Sequence, residues 1–150
     1  MGDSGFNLEY AKLFIKRAEM DLKSAKILLD NDIYPDSIYH SQQCAEKAVK
    51  AVLVLNNVII RKHVVSGVFR NIIYEMNIEN SWKDRLLNLI PKIESLEEHW
   101  VMPRYPEPYF GGLWNPLEEY TKKDAEECLK DAENVLKVIK EFLKKKYGLE

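Results

Sequence analysis

Along residues 7 to 30 the apolar positions Leu8, Ala11, Ile15, Ala18, Leu22, Ala25 and Leu29 recur at spacings of three and four, the signature of a helix that buries one stripe. "NDIYPDS" interrupts that pattern, and Pro35 suits the first turn of a second helix predicted to run to about residue 56. "VVSGVFRNIIYEM" predicts a shorter third helix. "NSWKDRLLNLIPKIESLEEHW" predicts a fourth, capped by Asn80 or Ser81 and kinked at Pro91. A last helix opens on Thr121 and Asp124, spaced as a capping box. It carries Ala125, Leu129, Ala132, Leu136, Ile139 and Leu143 as its apolar stripe, and Lys144, Lys145 and Lys146 complement the dipole at its end. No segment alternates like a sheet strand, and neither a repeat nor a low-complexity linker divides the chain. The pattern predicts an all-α, compact antiparallel bundle of about five helices, forming a single domain over residues 1–150.

Composition narrows the function classes. The 22 Lys and Arg against 24 Asp and Glu leave no strong overall field to attract nucleic acid or a membrane, and the two halves come to +1 (10 basic, 9 acidic) and −3 (12 basic, 15 acidic). The N-terminal "MGDSGFNLEY" lacks the basic-then-apolar order of a secretory leader, and no apolar run approaches the length that spans a bilayer. A soluble cytoplasmic protein is expected. Cys44 and Cys128 lie within helical patterns without CxxC or Cys/His spacing, which fits small core residues in a reducing compartment, and neither a metal nor a cofactor is expected.

The second helix carries the most information. In "SIYHSQQCAEKAVKAVLVL" the residues Ile38, Ala45, Ala48, Val49 and Val52 make a seam that Cys44, Ala51, Leu53 and Val54 widen beyond one face. A line of Gln43, Glu46, Lys47 and Lys50 interrupts this arc beside Tyr39. One reading makes it a solvated stripe with a Glu46–Lys50 ion pair; the other makes it a half-buried polar line facing a cleft or a second subunit.

"HSQQCAEKAVKAVL" in the second helix, "DLKSAKILL" in the first, His63 soon after the second and "RYP" before the last together resemble the HEPN family, named for nucleotide binding in higher eukaryotes and prokaryotes. The resemblance implies a bundle of about five helices, commonly a homodimer. Small prokaryotic members are often encoded beside a minimal nucleotidyltransferase as a toxin and antitoxin pair. Many members are metal-independent ribonucleases whose motif is an arginine, four to six residues, then a histidine, assembled across the dimer. Arg104 matches the arginine, but the positions for the histidine hold Tyr109, Phe110 and Gly111. A phenol titrating near pH 10 does not replace imidazole as a base near neutrality. Arg104 is therefore expected to bind, and a catalytic role is left open.

His63 in "IIRKHVVSG" sits beside Arg61 and Lys62 at the entrance to the third helix, where it can help attract a phosphate or simply cap the helix. His40 and His99 show no acid or metal partner in sequence. Adjacent carboxylates in "SLEEHW", "PLEEY" and "DAEE" diverge around a helix and read as solvated faces.

The segment "MPRYPEPYFGGLWNP" reads as a proline-stiffened loop, with the glycines turning the chain. Tyr105, Tyr109, Phe110 and Trp114 are too apolar to be exposed as one patch and are expected to cover something. The loop can be a lid with Arg104 on helix C-terminal carbonyls, a stacking and phosphate-binding wall, or a protein-docking surface.

Three functions follow. The first is a nucleotide- or RNA-binding HEPN module without its own turnover, partnered by a minimal nucleotidyltransferase and using Arg104, Tyr105, Tyr109, His63, Lys50, Gln43 and Glu46. The second is a ribonuclease in which Arg104 works with His63 or Tyr109. The third is a purely structural helical dimer.

Overall fold

A computed structural model of the chain describes residues 4–150; the first three residues of "MGDSGFNLEY" lie outside the described residues. Three long helices make the frame: α1 (Ser4–Asp30), α2 (Tyr34–Leu55) and α7 (Lys122–Tyr147). Between them run α3 (Ser66–Glu75), α4 (Asn80–Leu87), α5 (Ile90–Glu97), a short hairpin of β1 (Glu107–Tyr109) and β2 (Gly112–Trp114), and the one-turn α6 (Pro116–Glu119).

The stripe read from the first helix is the face that packs. Ala11, Ile15, Ala18 and Ala25 are buried, and their small side chains let α1 lie close along α2. Helix α2 is the hub, with α1, α7 and α5 all against it. Its broad apolar arc is consumed by these neighbours within the same chain: Ile38, Cys44, Ala48, Val49, Ala51, Val52 and Leu53 are all fully buried. The arc thus gives no ground for a subunit interface, and the expectation of a dimer rests on the family resemblance alone. Pro35 sits in the first turn of α2 as expected. On α7 the predicted capping box is present, Thr121 Oγ1 accepting from the Asp124 amide at 3.2 Å and Asp124 from the Thr121 amide at 2.9 Å. Gly148 closes that helix in the left-handed region at φ 67°.

Two elements differ from the sequence reading. The expected fourth helix is broken rather than kinked: α4 ends at Leu87, two turn residues follow, and Pro91 falls in the first turn of α5, where its missing amide is not needed. Neither Asn80 nor Ser81 is the cap. Asn80 is already helical, and Glu79 precedes it without a side-chain capping bond. The second difference is the hairpin, where no strand was expected. Tyr109 pairs with Gly112, so Phe110 and Gly111 form a two-residue turn with φ of 45° and 76°. Positive φ at both positions makes a turn whose twist matches that of the strands. Glycine adopts it freely; Phe110 does so at a steric cost of about 1–2 kcal/mol.

Candidate functional site

A continuous polar chain threads the boundary between α1, α2 and the segment before α3. It begins at Asp21, which takes a place on the buried face of α1 between Ala18 and Ala25 and is only 4% exposed. Its carboxylate meets His40 Nδ1 at 2.9 Å and accepts from Lys47 Nζ at 2.6 Å. Burial alone would raise the Asp21 pKa. The hydrogen bonds from His40 and Lys47, with their charges, outweigh it and hold the carboxyl below its ordinary value.

One helical turn on, Lys47 also donates to Gln43 Oε1 at 3.0 Å, and Gln43 Nε2 donates to Gln42 Oε1 at 2.7 Å. Gln42 Nε2 in turn donates to Glu46 Oε1 at 3.0 Å.

Glu46 is the focus of this chain. It is buried, and besides Gln42 it accepts from Lys50 Nζ at 3.0 Å and faces His63 Nδ1 at 3.2 and 3.3 Å through its two oxygens. A carboxylate only accepts, so His63 Nδ1 carries a proton toward it, and in the neutral form of the ring Nε2 is an acceptor. The imidazole stacks on Trp100, ring centres 4.2 Å apart. Trp100 links His63 to the expected arginine. Arg104 Nε donates to the Trp100 carbonyl at 2.8 Å, and its guanidinium carbon lies 4.7 Å from the Tyr39 ring centre, 5.3 Å from that of Trp100 and 5.2 Å from that of Tyr105. No carboxylate among the described residues pairs with Arg104, so its two terminal nitrogens keep their donors for a ligand.

The sequence residues thus separate into groups. Arg104 and His63 meet at Trp100, Tyr105 flanks the Arg104 guanidinium, and Glu46, paired with Lys50, stands behind His63. Gln43 and Glu46 are buried and satisfied, so the polar line is the half-buried arrangement and not the solvated stripe. Tyr109 belongs to a different cluster, a run of edge-to-face rings from Phe110 through Tyr109 and Trp114 to Tyr120. Within it Trp114 is half-buried and donates Nε1 to the Met102 carbonyl at 2.8 Å. The expectation that the loop aromatics cover something fails for the others. Tyr105 and Tyr109 are exposed, and Phe110, at the hairpin tip, is 93% exposed.

The His63 segment is held by a residue the sequence placed on a solvated face. Glu97, at the end of α5, is buried and accepts from the backbone amides of Val65 and Ser66, the latter at 3.0 Å, capping α3. His63 is therefore free of the capping duty considered for it. His99, also without a partner in sequence, meets the Tyr120 hydroxyl at 2.8 Å, and burial lowers its pKa. The sequence assigned no role to Asp21, Gln42 or Trp100, and put Glu97 on a solvated face. Only Asp21 carried a signal, a carboxylate on the apolar side of an otherwise regular stripe. Among the described residues no cluster of three or more His, Cys, Asp or Glu is placed to hold a metal, and no helix is long and apolar enough to cross a membrane.

The helical bundle, with this polar chain along its second helix and an arginine ahead of its last one, defines a HEPN-type protein. The HEPN domain profile matches residues 11–142, and the chain belongs to that family. Among particular relatives, it is 81% identical over 149 residues to the Methanocaldococcus jannaschii protein named "Putative toxin MJ1304", covering 99% of this chain and 98% of that one. The crystal structure of ST0689, an archaeal HEPN homologue, superposes with a TM-score of 0.66 at 30% identity, over 89% of this chain and 97% of that one. TT1696 from Thermus thermophilus shares the fold, with a TM-score of 0.71 at 21% identity over 87% and 96% of the two chains.

Proposed function

We propose that the chain is an RNA- or nucleotide-binding HEPN module, acting as a homodimer in a toxin–antitoxin-like pair with a minimal nucleotidyltransferase. The observation that carries this reading is the unpaired guanidinium of Arg104, held by its Nε–H on the Trp100 carbonyl and flanked by three aromatic rings. One nitrogen is fixed and the outer ones face no carboxylate, which suits a phosphate oxygen pair, while the exposed Tyr105 and Tyr109 offer faces to bases. Lys50, Gln43 and Glu46 are positioning residues that set the orientation of His63. The toxin named among the relatives supports the cellular role.

One observation favours a second reading, a metal-independent ribonuclease. The Glu46–His63 pair fixes the imidazole tautomer and leaves Nε2 able to take a proton from a 2′-hydroxyl, with Arg104 on the phosphate. Tyr109 has no place in that arrangement, since its ring contacts are those of the hairpin cluster.

Both readings are tested with labelled single-stranded RNA and metal chelated, comparing wild type, Arg104→Ala and His63→Gln for binding and cleavage. The binding reading expects retention of RNA by wild type, no cleavage, and about a tenfold or greater loss in Arg104→Ala, the range for a charge-assisted phosphate contact. Cleavage by wild type that both substitutions abolish replaces it with the ribonuclease. Binding unchanged in Arg104→Ala sinks the assignment of this site.

A further inference from the structure

The long face of α1 turned away from α2 carries large apolar side chains where a surface helix normally carries polar ones. Phe6, Leu13, Met20 and Ile27 are 56%, 54%, 52% and 52% exposed, and they stand seven residues apart over almost the whole helix. The row is about 31 Å long at 1.5 Å per residue. The buried stripe on the opposite side has its own residues, Ala11, Ile15, Ala18 and Ala25, so the exposed row is not a spill-over of the core.

The row keeps the seven-residue period of a helix–helix seam at one of its two positions, while half a repeat on stand Glu9 and Tyr10, Lys16 and Arg17, and Lys23 and Ser24. A partner helix would therefore meet one apolar residue every two turns, with mostly charged or polar neighbours between them. A flat lipid surface calls for a broad apolar arc instead, and phosphates gain nothing from leucine or methionine. The charge beside the row is predominantly basic. Between Phe6 and Ile27 the exposed charged positions are Lys12, Lys16, Arg17, Lys23 and Lys26, against Glu9 and Glu19, and Glu19 is already paired with Lys140 at 2.9 Å. Lys12 and Lys16 also border a groove of about 670 Å³ between α1 and α7, where Lys140 and Lys144 are balanced by Glu19, Glu141 and Glu150, so the excess of cations is confined to the row itself. That excess lies within a chain of net charge −2.

We propose that the exposed face of α1 is a docking surface for an acidic amphipathic helix of a protein partner. Its apolar stripe would lie along Phe6, Leu13, Met20 and Ile27, and its glutamates and aspartates would meet Lys12, Lys16, Arg17 and Lys23. A second copy of α1 fits less well. Antiparallel pairing that brings Phe6 onto Ile27 and Leu13 onto Met20 sets Lys16 of each copy against Arg17 of the other at the centre, where like charges repel. The inference uses none of the residues around Arg104 and stands apart from the reading of that site.

The test uses a fluorescent peptide of about four heptads with leucine along one stripe and glutamate at the flanking positions, and a second peptide with lysine in place of each glutamate. The full-length protein is titrated by fluorescence anisotropy up to about 100 µM. The glutamate peptide is expected to bind at least tenfold more tightly than the lysine peptide, to lose about tenfold or more on Met20→Glu or Leu13→Glu, and to weaken on Lys16→Glu with Arg17→Glu. Both apolar positions are exposed, so the variants should keep the wild-type circular dichroism. The proposal is overturned by absence of binding, or by binding indifferent to Met20→Glu. It is equally overturned if sedimentation shows that Met20→Glu turns a dimer into a monomer, since a second copy then covers the face. The same holds if an RNA oligonucleotide binds and is lost on Lys16→Glu but not on Met20→Glu.

Discussion

At the scale of single residues, the chemistry depends on two buried carboxylates and the basic side chains each gathers. Asp21 holds His40 and Lys47, and Glu46 holds Lys50 and His63. Replacing Asp21 by asparagine keeps the shape but leaves a half-buried ammonium without its counter-charge, a change expected to cost about 3 kcal/mol in urea unfolding near neutral pH. The pH dependence has a definite sign. Because the folded state holds the Asp21 pKa below its unfolded value, its contribution is fully present above about pH 4 and is lost as pH falls through the folded pKa. The stability gap between wild type and Asp21→Asn should therefore narrow progressively as pH falls below about 4; a gap that does not narrow there would remove the ion pair as its cause. None of these partners is adjacent in sequence. Asp21 was legible as an oddity on an apolar stripe, whereas its two partners lie 19 and 26 residues away and nothing local announces them.

Among the elements, the segment between α2 and α3 matters most, because it presents His63. It has no regular structure of its own, and what fixes it is Glu97 at the end of α5, binding the amides of Val65 and Ser66. Glu97→Ala should cost about 1–2 kcal/mol in global stability, the ordinary range for a lost helix cap, and should speed amide exchange in the first turn of α3. Weaker RNA binding without any change at Arg104 is expected to accompany it, through the loosened His63. Unaltered exchange at Val65 and Ser66 in that variant would show that the cap is not what orders the segment. The broken α4–α5 pair and the hairpin were less legible than the long helices for a common reason. A helix of eight residues spans barely two turns and gives periodicity little to act on. The three-residue strands, one containing Pro108, show no alternation, and the turn signal was masked because a phenylalanine takes the first left-handed position.

On the scale of the whole molecule, α2 is enclosed by three helices, and the packing of α2 and α7 buries Cys44 on the one and Cys128 on the other. Desolvation pushes the Cys44 and Cys128 thiols up to about 12, so little reactive thiolate exists at pH 8. Alkylation of Cys44, which is fully buried, should proceed only at the rate of global unfolding and rise in step with it across a urea series. Faster labelling would reveal a local opening of α2 from α1 and α7. Taken by itself, the sequence determined the three long helices, the faces they bury, the Thr121–Asp124 cap and the helical character of the fold. Those features are written in contacts three and four residues apart, which the chain carries wherever it goes. Only the tertiary structure decided that Glu46 meets His63, that Glu97 caps α3, that Arg104 lies among Tyr39, Trp100 and Tyr105, and that the apolar arc of α2 is buried while α1 keeps an exposed apolar row. Such pairings join positions far apart along the chain, and they form because packing the helices removes water from carboxylates and rings that must then find partners within the fold.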